Sequence, residues 1–294
     1  VDLTESANQP MLSPDGMTAL VFNGEIYNFQ EIRARLEQNG VRFRTRSDTE
    51  VLLHLYIEKK EAMLDELNGM FSLAIWDERE KRLFLARDRM GKKPLYYRAG
   101  HDGLSFSSEL FSLIQDPSVP REMAPDAVFE YLLYDFVPAP LSVFRDVYKL
   151  PAAHAAVFDA SGMRTWRYWK PPEPDGSLDY RQAQRDVTTL LEDAVRLRLV
   201  ADVPLGAFLS GGIDSTLITS FMSTSHEQQV RTFSISFTGT SHDEAHWSAL
   251  AADALATDHT EYPVKYDIQD IFARMVQHFG EPFGDSSAIP TWHL

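Results

Sequence analysis

Cysteine is absent from all 294 residues, which excludes disulfide staples, thiolate metal sites and a cysteine nucleophile within this sequence. A cytoplasmic setting is the simplest reading of that absence. Positive charge is scarce as well, with 28 Lys and Arg against 43 Asp and Glu and a formal net charge of -15. Nucleic-acid binders neutralise phosphates with basic side chains, so no nucleic-acid partner is expected. No apolar run approaches the ~20 residues needed to span a bilayer, so no membrane segment is expected either. The start at Val1 shows neither an initiator Met nor a basic-then-apolar leader, and both it and the stop at Leu294 read as truncations. What remains is an ordinary globular composition, 44% hydrophobic and 24% charged, long enough for about two domains.

The first ~115 residues read as layered α+β, rich in strands. Met17–Phe22 fits a short strand, Asn23-Gly24-Glu25 a turn, and Asn28 the cap of a helix through Phe29, Ile32 and Leu36 that Asn39-Gly40 ends. Val41–Thr45 alternates as a strand. Ser47-Asp48-Thr49 then caps a helix whose apolar face is Val51, Leu52, Leu55 and Tyr56. Gly69–Trp76 and Arg82–Ala86 read as a hairpin, followed by strands ending at Tyr97 and at Leu104–Ser107 and a helix over Glu109–Ile114. Between about 116 and 180 prolines break the pattern, and the aromatics Phe129, Tyr131, Tyr134 and Phe136 are read as packing in a core or at a domain junction.

The run Tyr168-Trp169-Lys170-Pro171-Pro172-Glu173-Pro174-Asp175-Gly176 forbids regular structure. Residues 1–170 are therefore read as one domain, 171–180 as a linker and 181–294 as a second domain. Beyond it the elements alternate: a long helix near Gln182–Val200 with Val187, Leu190, Leu191, Ala194, Val195 and Leu199 on one face, a strand at Leu205–Leu209, a helix from Thr216, a strand at Val230–Phe237, a helix near Glu244–Leu255 and a strand at His259–Val264. That alternation implies a parallel sheet, and parallel α/β sheets bind ligands beyond the carboxyl ends of their strands.

Ser210-Gly211-Gly212-Ile213-Asp214-Ser215 lies at such an end. Glycines let backbone approach closely, and the first N–H groups of the helix point into the turn, an arrangement that suits phosphate. No Gly-Lys-Ser/Thr follows, so the Walker cradle is not implied, and Asp214 fits only if it holds a Mg²⁺ bridging to phosphates. Taken alone, the stretch is equally consistent with ordinary turn chemistry.

Several ordered motifs resemble one family, the glutamine-dependent class B asparagine synthetases and their amidotransferase relatives. They are Phe22-Asn23-Gly24-Glu25-Ile26-Tyr27-Asn28, Ser47-Asp48-Thr49-Glu50, Gly69-Met70-Phe71, Arg87-Asp88-Arg89, Gly91-Lys92-Lys93-Pro94-Leu95-Tyr96-Tyr97, Ser108-Glu109, Asp202-Val203-Pro204 and Leu209 to Ser215. The resemblance implies an N-terminal Ntn-hydrolase-type glutaminase sandwich followed by an α/β pyrophosphatase-loop ATP-binding domain, incomplete at its C-terminus. It implies that Asn23 and Gly24 form an oxyanion hole and that Glu25 and Asp48 hold the glutamine α-ammonium. In the second domain it implies that Phe208, Leu209, Ser210, Gly211, Gly212, Asp214, Ser215 and Ile235 meet ATP, with Asp214 toward Mg²⁺ and Ile235 near adenine. The alignment of Asp285-Ser286-Ser287 to the same site is looser. The implied chemistry is activation of aspartate as aspartyl-AMP and attack by ammonia from glutamine. Relatives with other carboxylate acceptors, such as cell-surface sugars, antibiotic precursors or a β-lactam precursor with a defunct glutaminase, remain open, as do a non-catalytic nucleotide-binding module and a homodimeric state.

The family's nucleophile is an N-terminal cysteine, and here the first residue is Val1. The family's carboxylate-binding arginine would stand just upstream, and its second ATP-site loop and catalytic acid beyond Leu294. These 294 residues alone are therefore expected to be catalytically incompetent. His242-Asp243-Glu244-Ala245-His246 imitates a zinc helix, but the metalloprotease pattern needs glutamate directly after the first histidine, so the acids read better as helix-start residues. No feature indicates a flavin or a nicotinamide.

Overall fold

The computed structural model describes residues 2–100, 103–174, 176–177, 179–225, 228–236, 245–263, 268–285 and 287–293. The chain forms two compact units, Val1–Pro172 with Ala273–Gly284, and Glu173–Phe272 with Asp285–Leu294. No signal in the composition marks the return of residues 273–284 to the first unit.

In the first unit the elements are β1 (Met11–Leu12), β2 (Thr18–Ile26), α1 (Phe29–Gln38), α2 (Asp48–Lys59), β3 (Gly69–Asp77), β4 (Arg82–Arg87), β5 (Tyr96–Gly100), β6 (Gly103–Ser107), α3 (Leu110–Leu113), α4 (Pro125–Tyr134), β7 (Tyr148–Lys149), β8 (His154–Asp159) and β9 (Gly162–Arg167). A six-stranded sheet runs β1-β2-β3-β4-β8-β9 and a three-stranded sheet β6-β5-β7. Strand alternation divides the faces. On one face Tyr56 of α2 stacks on Phe84 of β4, and the fully buried Leu52, Leu53 and Leu55 line the same helix. On the other, Ala74, Leu85 and Ala156 meet Leu95, Leu150, Tyr97 and Phe106 around the second sheet. The α+β layering is as read from sequence.

Four local readings are corrected. Asn23-Gly24-Glu25 is no turn, because β2 runs unbroken to Ile26 with these residues opposite Ser72, Phe71 and Met70. Val41–Thr45 is no strand, since the Arg44 and Thr45 amides donate to the buried Glu50 carboxylate rather than to a neighbouring strand. Asn28 stands at the α1 cap position but spends its side chain elsewhere, donating to Glu66 O and accepting from Asn68 N. Phe129, Tyr134 and Phe136 are exposed and Tyr131 half-buried, because only Ala127 of α4 is buried. The proline-rich stretch also conceals the β8–β9 hairpin, which extends the main sheet.

Asp88 closes the loop after β4. Its buried carboxylate accepts from the amides of Phe71, Met90, Lys92 and Lys93 at 2.9 to 3.1 Å. Arg87 beside it donates to the carbonyls of Lys93, Leu150 and Gly91. Asp88→Ala leaves these donors without their acceptor and is expected to cost about 3 kcal/mol of unfolding free energy. Denaturant titration checks this, and an unchanged midpoint contradicts the role.

The second unit contains α5 (Tyr180–Leu197), β10 (Gly206–Phe208), α6 (Ile213–Ser225), β11 (Arg231–Ser236), α7 (Ala245–Leu255) and β12 (Asp258–Pro263). The last helices of the chain are α8 (Ile268–Phe279), which crosses from one unit to the other, and α9 (Ala288–His293). The three strands are parallel in the order β10-β11-β12, as the alternation implies. The stripe read on α5 is not a buried one: Val195 alone is buried, while Val187 and Leu190 are 54% and 68% exposed. No helix among the described residues is long and apolar enough to cross a membrane.

Candidate active sites

Two places collect the residues singled out by sequence, one in each unit. In the first, Asn23 and Ser72 are register partners on the face of the main sheet that meets the second sheet. With Gln9, Leu95, Phe106, Ser107 and Ser108 they line a cleft of about 200 Å³.

The backbone around Gly24 follows from its neighbours. Phe71, opposite Gly24, turns both polar groups toward β4, its N–H donating to Asp88 Oδ2 and its carbonyl accepting from Asp88 N. Antiparallel partners alternate between bonded and non-bonded pairs, so Gly24 and Phe71 form a non-bonded pair. The Gly24 N–H therefore points away from β3, to the same edge as Phe22, whose amide and carbonyl are taken up by the Gln9 side chain. At that edge β1 pairs only with Ala19 and Leu20, which leaves the Gly24 amide off the ladder. Glycine is required here because a Cβ would stand 2.1 Å from Met70 O.

One residue beyond Glu25, the Ile26 N–H donates to Asp48 Oδ2 at 3.0 Å. Asp48 begins α2, behind the Ser47 cap, whose hydroxyl accepts from Glu50 N. Its carboxylate is 3% exposed and has no ion-pair partner among the described residues. Burial raises its pKa above the usual carboxylate range, against the opposing pull of the Ile26 amide. A buried acid beside a strand edge that offers a backbone N–H is suited to a ligand carrying an ammonium and a polarised carbonyl. Asn23, Gly24 and Glu25 thus lie near the end of β2, where the next residue, Ile26, donates its amide to Asp48. Gln9 and Ser107 at the cleft gave no sequence signal, being isolated polar residues with no periodicity.

In the second unit β10 delivers the chain to the glycine turn, and Leu209 N donates to Phe233 O, which extends the parallel pairing by one bond. The turn holds itself together through hydroxyls: Ser210 Oγ lies 3.0 Å from Ser215 Oγ, and Gly212 N donates to Ser210 Oγ at 3.3 Å. The opening residues of α6, Ile213, Asp214 and Ser215, have amides that lack intrahelical acceptors, as helix geometry dictates. Gly211 has φ 78°, and a Cβ there would lie 2.3 Å from the Trp247 carbonyl carbon, so both backbone conformation and packing demand glycine.

Phe208, Asp214 and Ser215 share a cleft of about 430 Å³ with Gly206, Ile218 and Met222. Asp214 is exposed. Leu209 and Ile235 do not line this cleft: Leu209 is buried against Ala251 and Ala252, and Ile235 is half-buried on β11 opposite Tyr262. Asp285 accepts from the amide and hydroxyl of Ser287, whereas Ser286 lies outside the described residues. His242, Asp243 and Glu244 also lie outside them, and His246 meets the Trp247 ring edge-on.

Comparison with known proteins places both sites in context. Residues 1–169 match the glutamine amidotransferase domain family, and residues 186–294 match the asparagine synthase family. Asparagine synthetase [glutamine-hydrolyzing] 1 of Bacillus subtilis is 33% identical over 99% of this chain and 46% of its own length. Asparagine synthetase [glutamine-hydrolyzing] 3 of the same organism is 33% identical over 87% of this chain and 44% of its own length. The chain spans about half the length of these relatives. A solved glutamine phosphoribosylpyrophosphate amidotransferase from B. subtilis, complexed with ADP and GMP, covers 95% of this chain and 76% of its own at 16% identity and a TM-score of 0.43, too low to assign a fold. The chain belongs to the glutamine amidotransferase domain family, whose match takes in its first 169 residues, and its residues 186–294 are similar to the asparagine synthase family.

Proposed function

We propose that the full-length protein is an ATP-dependent amide ligase that hydrolyses glutamine and uses the released ammonia to convert aspartate to asparagine. The observation that carries the reading is the buried Asp48 beside the off-ladder Gly24 amide, in one chain with the Ser210–Ser215 turn. Asp48 and Glu25 bind the glutamine ammonium. The Asn23 side-chain amide and the Gly24 N–H receive the oxyanion that forms as the glutamine amide is attacked. This sequence holds no cysteine, and the attacking nucleophile is assigned to none of its residues. Collapse of that tetrahedral species expels ammonia and leaves an acyl intermediate, which water hydrolyses to glutamate and the free nucleophile.

In the second unit the hydroxyls of Ser210 and Ser215 and the opening amides of α6 hold the β- and γ-phosphates of ATP. An aspartate carboxylate oxygen attacks the α-phosphorus and pyrophosphate leaves. Ammonia then attacks the acyl carbon, AMP departs, and a nitrogen proton is lost to solvent. Mg²⁺ would have Asp214 as its ligand among the described residues. Asp214 is exposed at the mouth of the turn, and the described residues contain no cluster of three metal-ligating side chains, so the ion would be held mainly by phosphate oxygens with Asp214 as one protein ligand. When bound, it neutralises charge on the leaving pyrophosphate.

The test is product analysis of the full-length protein with glutamine, ATP and aspartate. Asparagine, glutamate, AMP and pyrophosphate are expected together. Ligation with another carboxylate and none with aspartate would move the acceptor while leaving the chemistry in place, and ATP binding without turnover on any acceptor would reduce the protein to a nucleotide-binding module. A second check addresses the turn. Gly211→Ala must displace either the turn or Trp247, a strain of about 1–3 kcal/mol that is expected to weaken ATP binding about tenfold or more. Calorimetric titration reads it, and unchanged affinity contradicts the assignment.

A further inference from the structure

The segment 273–284 groups with the first unit although its neighbours in sequence on both sides, Phe272 and Asp285, group with the second. Its seat is unusually specific. Gly280 has φ 70° and would place a Cβ 3.3 Å from Leu110 Cβ, while Gly284 donates its amide to Asp135 O and would place a Cβ 2.8 Å from Asp135 Cβ. Phe283 pairs with Phe136 through a backbone bridge and packs edge-on against Phe279 at 4.2 Å.

Between these contacts Glu281 forms an ion pair with Lys149 of β7, the two side chains being 13% and 12% exposed. Lys149 Nζ also donates to Val137 O and lies 6.0 Å from the centre of the Tyr96 ring, and the Tyr96 hydroxyl is 3.5 Å from Glu281 Oε1. Glu281 Oε2 is buried and makes no hydrogen bond of normal geometry among the described residues. Apolar residues of the same volume would secure the segment at least as firmly, because burying two charges costs most of what their attraction returns. What an ion pair adds is one fixed geometry. The buried Glu281 carboxylate regains hydration if the pair opens, so the seat is also easier to leave than an apolar one.

We propose that Lys149 and Glu281 are positioning residues, a latch that fixes where the chain leaves the amidotransferase unit toward Asp285 and thereby couples glutamine hydrolysis to amide synthesis. This rests on the ligase reading above. Neither residue touches glutamine or ATP in that reading, so opening the latch should spare each half-reaction and disturb only their coordination.

The test uses full-length protein with Glu281→Gln, Lys149→Met and the exchanged pair Lys149→Glu with Glu281→Lys. Hydrogen exchange at the Gly280 and Gly284 amides is expected to quicken about tenfold or more in the single variants, with α2 unchanged. Glutamine hydrolysis and ammonium-dependent amide formation should each stay within about twofold, while glutamate released per amide made rises about fivefold or more, and the exchanged pair should recover part of that loss. Unchanged exchange would overturn the latch, and faster exchange with an unchanged glutamate-to-amide ratio would overturn the coupling. If the parent protein forms no amide from ammonium and ATP, the ligase reading has failed, and with it the coupling; the exchange measurement then decides the latch alone.

Discussion

Asp214→Ala in the full-length protein is expected to lower AMP formation by about 10²- to 10³-fold, the scale on which removing one charge-stabilising group from a displacement reaction is felt. Glutamine hydrolysis should remain within about twofold, since the residues assigned to it lie on β2 and α2 and share no partner with Asp214. Folding should be little affected. Asp214 is exposed on the first turn of α6 and forms no ion pair with a described residue, so its removal costs only its interaction with the helix dipole, about 0.3–1 kcal/mol. Parallel assays of AMP and glutamate decide the matter. An equal fall in both activities would show that the two sites are not separable as described.

The second large effect is expected at Asp48. Asp48→Asn keeps an oxygen to accept the Ile26 amide but removes the charge that would hold an ammonium, and loss of a charge-assisted bond in a dry site should raise KM for glutamine by about 10²-fold or more. Stability should move the other way. Because burial raises the folded-state pKa of Asp48 above its unfolded value, the folded state binds the proton more tightly, and the group's favourable contribution is present at low pH and lost as pH rises through the raised pKa. Above the raised pKa the ionised carboxylate is therefore a liability until an ammonium arrives. The variant should have a Tm no lower than the parent at pH 7, a smaller difference at acid pH, and no thermal shift on adding glutamine. Thermal scans with and without glutamine test this, and a variant that unfolds earlier while still responding to glutamine contradicts it.

Much of this was legible in the residues because local physics and tertiary packing agree. Ser47 caps α2 through Glu50 N, the apolar runs of the β3–β4 hairpin are buried on both faces, and the glycine turn sits between a strand and a helix. Where the two disagree, the sequence misled. Asn-Gly is the strongest short turn signal, yet Asn23-Gly24 lies in mid-strand because glycine is needed for the approach of Met70 O. Val41–Thr45 alternates like a strand, but its Arg44 and Thr45 amides are satisfied by a side chain, Glu50, that no periodicity could assign. The return of 273–284 depends on Lys149 and Glu281 meeting across 132 positions, a relation invisible to any local window.

The most direct test of the proposed ligase supplies aspartate labelled with ¹⁸O in its side-chain carboxylate, together with glutamine and ATP, and reads the label in the phosphorus-containing products. Attack on the α-phosphorus transfers one labelled oxygen to AMP as asparagine forms, and the amide nitrogen comes from glutamine. Label in orthophosphate with ADP released, or asparagine formed with no label in AMP, would contradict activation at the Ser210–Ser215 turn by adenylation.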